Sequence, residues 1–113
     1  MAIAQNIIIN SDADYLKQFT AKDNTGTVID LTGYTLASQL RKTYASSAST
    51  TFAPVIVSAT LGTFTLALTD VQTATGTLER GRHVYDVTIT DGSGDITRIQ
   101  EGIATVSPSV TRT

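Results

Sequence analysis

Gly81-Arg82-His83-Val84-Tyr85-Asp86-Val87-Thr88-Ile89-Thr90-Asp91-Gly92-Ser93-Gly94 is the stretch that decides the fold. From His83 onward the side chains alternate, and His83, Tyr85, Val87 and Ile89 fall on one face. A repeat of two is that of a half-buried β-strand. Asp91-Gly92-Ser93-Gly94 then supplies a tight hairpin, because Gly accepts the positive φ such turns demand and Asp bonds to nearby backbone. The returning strand is expected over residues 96–101 and on to Ala104-Thr105-Val106, with Pro108 closing it.

Working outward, the same grammar recurs at about ten-residue spacing. Ile7 to Ile9 make a short first strand. Residues 15–21 make a second, with Tyr15, Lys17 and Phe19 on one face and Leu16, Gln18 and Thr20 on the other. Asp23-Asn24-Thr25-Gly26 reads as a turn, after which residues 28–31 resume the strand. Thr32-Gly33 leads into residues 34–41, where Tyr34, Leu36, Ser38 and Leu40 form the expected core face. Residues 45–51 are small and polar and read as an exposed, mobile loop. Residues 55–58 and 63–69 form a hairpin across Gly62, with Phe64, Leu66 and Leu68 inward. Thr69-Asp70-Val71-Gln72 has the form of a capping box, which predicts one or two helical turns ending by Gly76. The expectation is one domain over residues 1–113: an all-β, immunoglobulin-like antiparallel sandwich of seven to eight strands with one short helical connection. A small barrel is the runner-up.

Composition agrees. The chain has 113 residues, enough for one core, with 21 Thr and only 16% charged residues. Thr suits a pleated surface, whereas a helical surface would carry more Glu, Lys and Arg. With no Cys, thiolate-ligated zinc, thiol catalysis and redox switching are excluded, and a single His argues against imidazole metal sites. A net charge of −2 gives no attraction to a phosphate backbone, so no nucleic-acid partner is expected. The first ten residues lack a basic start and hold too short an apolar run for a signal peptide or a span, so no membrane insertion is expected.

Lys22-Asp23-Asn24-Thr25-Gly26-Thr27-Val28-Ile29-Asp30-Leu31-Thr32-Gly33-Tyr34-Thr35 resembles a block in small tailed-phage virion proteins, and the start of the amino-terminal domain of phage baseplate upper proteins. Gly81 to Thr90, followed by Ile96-Thr97-Arg98-Ile99-Gln100-Glu101-Gly102 and Val106-Ser107-Pro108-Ser109-Val110-Thr111-Arg112, is similar to their ending. The resemblance covers nearly the whole chain. It implies an immunoglobulin-like domain serving as a structural part of a tailed-phage particle, assembled in the host cytoplasm, with no catalytic residues to carry over. The resembling sequences tend to have Tyr where this chain has His83, so an imidazole would have to replace a hydroxyl that ties a corner of the sandwich.

No other constellation outweighs that reading. Asp91-Gly92-Ser93-Gly94-Asp95 opens like a calcium loop, but its twelfth position is Gly102 where a bidentate Glu is needed. Asp12 and Asp14 are two carboxylates near a terminus, and His83 with Asp86 or Glu101 lacks a third group to complete acid–base work. No metal, cofactor or catalysis is therefore expected. Thr63 with Thr65, and Thr73, Thr75 and Thr77, share no regular repeat and read as sheet exterior.

The expected partners are other virion proteins and identical copies. The interface candidates are Ile7, Ile8 and Ile9, more apolar bulk than a terminal strand needs, and Tyr44 and Phe52, the aromatics flanking the mobile loop. Two arrangements of residues 1–10 stay open: part of the segment packs on a neighbour or pairs with it by strand addition, or Ile7 and Ile9 enter the core and Ile8 stays half exposed. The leading expectation is a tail, baseplate or fibre-attachment module; the alternatives are a capsid decoration protein and a host-surface glycan-binding module.

Overall fold

Alternation becomes register in the computed structural model, which describes residues 3–23, 25–74 and 77–108. Nine strands occur among the described residues: β1 (Ile3–Ala4), β2 (Ile7–Asn10), β3 (Tyr15–Thr20), β4 (Thr35–Arg41), β5 (Thr50–Thr51), β6 (Ala53–Ser58), β7 (Thr63–Leu68), β8 (Gly81–Thr90) and β9 (Ile96–Ser107). One sheet runs β1-β9-β8-β4-β5, with β2 also pairing β9, and the other runs β3-β7-β6. Placing β4, β8 and β9 in one layer and β3, β7 and β6 in the other is the strand distribution of an immunoglobulin-like sandwich. The strands pair antiparallel except β1 and β2, which join β9 in parallel.

The core lies where the two inner faces meet. Phe64, Leu66 and Leu68 alternate with half-exposed Thr63, Thr65 and Ala67, and β8 buries His83, Tyr85, Val87 and Ile89 in the same way. Phe19 lies opposite Phe64 in the ladder and stacks on it, ring centroids 5.7 Å apart. Lys17, expected beside Tyr15 and Phe19, stays exposed at the open rim, its ammonium 5.7 Å above the Phe19 ring. Leu66 is fully buried, so Leu66→Ala should cost about 2–5 kcal/mol of unfolding free energy by urea denaturation.

Two local expectations give way to tertiary context. Residues 28–31 form no strand. One bridge joins Lys22 to Val28, and the Asp23 and Asp30 carboxylates instead accept hydrogen bonds from Thr25, Thr27 and Thr32. The capping box at Thr69 is real: the Thr69 amide donates to Gln72 Oε1 at 2.9 Å and the Gln72 amide to Thr69 Oγ1 at 3.2 Å. No helix grows from it among the described residues, and Thr75 and Gly76 lie outside them. A first turn fixes several residues for one bond, and β-branched Val71 and Thr73 propagate it poorly. Thr73 is fully buried, and its hydroxyl donates to the Ala13 carbonyl at 2.7 Å, which holds the chain in a turn. The loop over residues 45–51 is tied at both ends: the Arg41 guanidinium donates to the Ser46 carbonyl at 2.7 Å, and Thr50–Thr51 pair with β4.

The amino-terminal strand follows the simpler of the two arrangements and adds Ile7 and Ile9 to this chain's own core. Ile7 and Ile9 are buried between the sheets, while Ile8 is 67% exposed. Between β1 and β2 the backbone arches over Gly102, where a Cβ would run into the Gln5 carbonyl. The Asn6 side-chain oxygen accepts the Ile103 amide at 3.1 Å, and the Tyr85 hydroxyl donates to the Gln5 carbonyl while accepting from the Gln100 amide at 2.9 Å. At His83, where the corner bond was in doubt, Nδ1 lies 3.4 Å from the Gly81 carbonyl, and the Tyr85 hydroxyl makes its own tie to the amino-terminal segment.

Candidate functional site

A sandwich offers a ligand two outer faces and its strand edges, and here the two faces differ in chemistry. On the three-stranded sheet the outward residues are Leu16, Gln18 and Thr20 from β3, Thr63, Thr65 and Ala67 from β7, and Ala53, Val55 and Val57 from β6. None of these nine is charged. Leu16 stands opposite Ala67, and Thr65 lies between Gln18 and Val55, so small and β-branched side chains form cross-strand rows. Leu16 is 72% exposed and Val55 57%, which leaves apolar surface in water with no charge among it.

The outer face of the larger sheet is polar. Its middle row runs Gln39 on β4, Asp86 on β8 and Glu101 on β9, in direct register. Arg98 spans both carboxylates, with Nε 3.4 Å from Asp86 Oδ2 and Nη1 3.1 Å from Glu101 Oε1. Arg41 donates through Nη2 to Gln39 Oε1 at 3.0 Å. Together with Tyr44 and Val84 these residues line an open depression of about 310 Å³.

The structure sorts the interface candidates. Ile8 is exposed on the edge strand β2. Because the Ser11 amide bonds the Ser107 carbonyl and Asn10 is the register partner of Ser107, the peptide groups of Ile8 and Asn10 point away from β9, as the parallel ladder alternates. Tyr44 is 84% exposed. Phe52, expected at the surface, is instead core: it is 1% exposed and packs between Tyr15 and Tyr85, with centroid distances of 6.1 and 6.2 Å. The chain leaves β5 and enters β6 on the opposite sheet at this residue, and the crossing carries the ring inward.

The candidates for chemistry are dispersed. His83 faces the core while Asp86 and Glu101 face outward, so the structure does not bring them together. Asp91 Oδ1 accepts the Ser93 and Asp95 amides at 2.8 and 3.0 Å, and Asp14 Oδ1 accepts the Asp70 amide at 2.8 Å. Those carboxylates thus serve turns and chain crossings. Among the described residues no three His, Cys, Asp or Glu converge as a metal site, and no helix is long and apolar enough to cross a membrane. The row Gln39, Asp86, Glu101 escaped sequence reading. Alternation shows which residues face outward on one strand, but only pairing register shows which of them meet.

His83 makes a pH dependence. Burial holds its imidazole below the ordinary value of 6.5, outweighing the Gly81 carbonyl 3.4 Å from Nδ1. The folded state therefore prefers neutral His83, and below 6.5 the unfolded chain takes up the proton that the folded chain resists. Its contribution is complete above pH 6.5 and lost as pH falls toward the depressed value. Asp23 and Asp30, held below 3.8 first by the Thr25 and Thr32 hydroxyls, lose theirs only in stronger acid. The thermal midpoint should be flat from about pH 7 to 8 and decline below about 6.5, and His83→Leu should remove that first decline. An equally steep decline in the variant would assign it to another group.

No protein-family model matches the chain, and no curated protein matches it.

Proposed function

We propose that this protein is a non-enzymatic structural component of a tailed-phage virion, a tail, baseplate or fibre-attachment module that works through contacts with other virion proteins and identical copies. The carrying observation is the uncharged outer face of the β3-β7-β6 sheet, with Leu16, Val55 and Val57 exposed in it. Solvated sheet faces normally carry charge, and exposed apolar patches mark interaction sites. The resemblance of residues 22–35 and 81–112 to virion proteins and baseplate amino-terminal domains supports the same reading.

Size sets the mode of binding. Three six-residue strands, at about 3.3 Å per residue and about 4.8 Å between strands, give a patch of roughly 200–300 Å². One such contact is weak, and repetition over the symmetry-related copies of a particle makes attachment firm through effective concentration.

Introducing Leu16→Lys and Val55→Lys together should change the isolated protein's stability by no more than about 1 kcal/mol, since both side chains are exposed. The same pair should remove the protein from particles purified from an infection that supplies the variant. Wild-type protein absent from purified particles, or the double variant retained at full occupancy, would overturn the reading. Cross-links from Lys17 or Lys22 to shell subunits would seat it on the capsid as a decoration protein, and cross-links to tail or baseplate proteins would seat it where proposed.

A further inference from the structure

We propose that the depression on the outer face of the β4-β8-β9 sheet is a binding site for a neutral saccharide. It lies on the opposite side of the sandwich from the uncharged face, so both can be occupied at once, and it stands independently of the virion reading.

Charge balance comes first. Arg41 and Arg98 supply two positive charges, and Asp86 and Glu101 supply two negative ones, all lining the same depression. A ligand of either sign gains no net attraction there and meets like charge. What the site does offer is an ordered set of planar polar groups. Arg98 engages one oxygen of Asp86 and one of Glu101, which fixes both carboxylates while each side chain stays more than two-fifths exposed. Arg41 takes the Gln39 amide oxygen and, through its other terminal nitrogen, the Ser46 carbonyl. That fixes the Gln39 side chain by its oxygen, which leaves its amide nitrogen as the group with hydrogens to donate. Cross-strand neighbours stand about 5 Å apart, so the row offers one amide donor at Gln39 and then two carboxylate acceptors at Asp86 and Glu101, at a spacing that two adjacent ring hydroxyls can bridge.

Tyr44 supplies the apolar half. It is 84% exposed, and it lines the depression together with Val84. A pyranose combines the matching features in one neutral molecule: hydroxyls that both donate and accept around its edge, and a face of C–H groups that packs on an aromatic ring. A volume of about 310 Å³ accommodates one or two sugar rings. Because the depression is open, affinity per site is low.

The test is an amide and side-chain NMR titration of the full chain with lactose, maltose, cellobiose and diacetylchitobiose, each to about 20 mM, with sialyllactose as an anionic comparison. At least one neutral sugar should give saturable shifts at Gln39, Arg41, Tyr44, Arg98 and Glu101. Tyr44→Ala and Gln39→Ala should each weaken binding about tenfold or more with unchanged thermal midpoints, and the Leu16→Lys, Val55→Lys protein should bind as the wild type does. Loss of virion incorporation without loss of sugar binding, or the reverse, separates this site from the virion contact. No saturable shift with any neutral sugar, shifts that survive both alanine variants, or tighter binding of sialyllactose would overturn the proposal.

Discussion

Replacing Ile7 and Ile9 together by Ala should remove most of the domain's stability. Both side chains are buried between the sheets, at 2% and 0% exposure, and each truncation of a buried Ile costs about 2–5 kcal/mol. The pair therefore removes about 4–10 kcal/mol from a domain whose whole stability is expected to be about 5–15 kcal/mol. The loss is compounded because β1 and β2 are held to β9 by parallel pairing, by the Asn6 side chain and by the Tyr85 hydroxyl. Ile8→Ala, between them, should change stability by no more than about 0.5 kcal/mol. Urea denaturation followed by circular dichroism reads both. A double variant with a near-native midpoint would place this segment outside the core.

Phe52→Ala should cost about 3–5 kcal/mol, far more than its position beside a small, polar loop suggests. The ring sits between Tyr15 and Tyr85, so truncation leaves a cavity bounded by two aromatics attached to different sheets. The Phe52 amide also donates to the Ser38 carbonyl at 3.0 Å, which holds the crossing from β5 to β6 and resists collapse into that cavity. Tyr44→Ala, on the other side of the loop, should be neutral within about 0.5 kcal/mol because its ring is in water. Thermal midpoints of the two variants suffice, and similar losses would mean that Phe52 is no better packed than Tyr44.

The parts of the fold legible in the sequence are those where one strand speaks for itself. Residues 63–68 and 83–90 alternate cleanly, and the faces read from them are the faces buried. The hairpin at Asp91 is also local, closed by bonds from its own side chain. Legibility fails where two distant segments decide the outcome. Phe52 occupies a one-residue crossing between sheets, too short for any period. Ile7-Ile8-Ile9 has the same apolar character on both faces, so only its pairing with β9 sorts inward from outward. The capping box at Thr69 forms as written, yet Thr73 is buried and bonded to Ala13, and no helix extends among the described residues. The candidate saccharide site was hidden for the same reason, since Gln39, Asp86 and Glu101 are far apart in sequence and become neighbours only through register.

Electron cryomicroscopy of intact particles decides whether this domain is a virion component. Multiple symmetry-related copies of this sandwich are expected on the tail, baseplate or fibre attachment, with the β3-β7-β6 face covered by a virion neighbour and the Gln39–Asp86–Glu101 row open to solvent. A particle lacking the domain, or one that carries it with Leu16, Val55 and Val57 facing water, would contradict the virion reading.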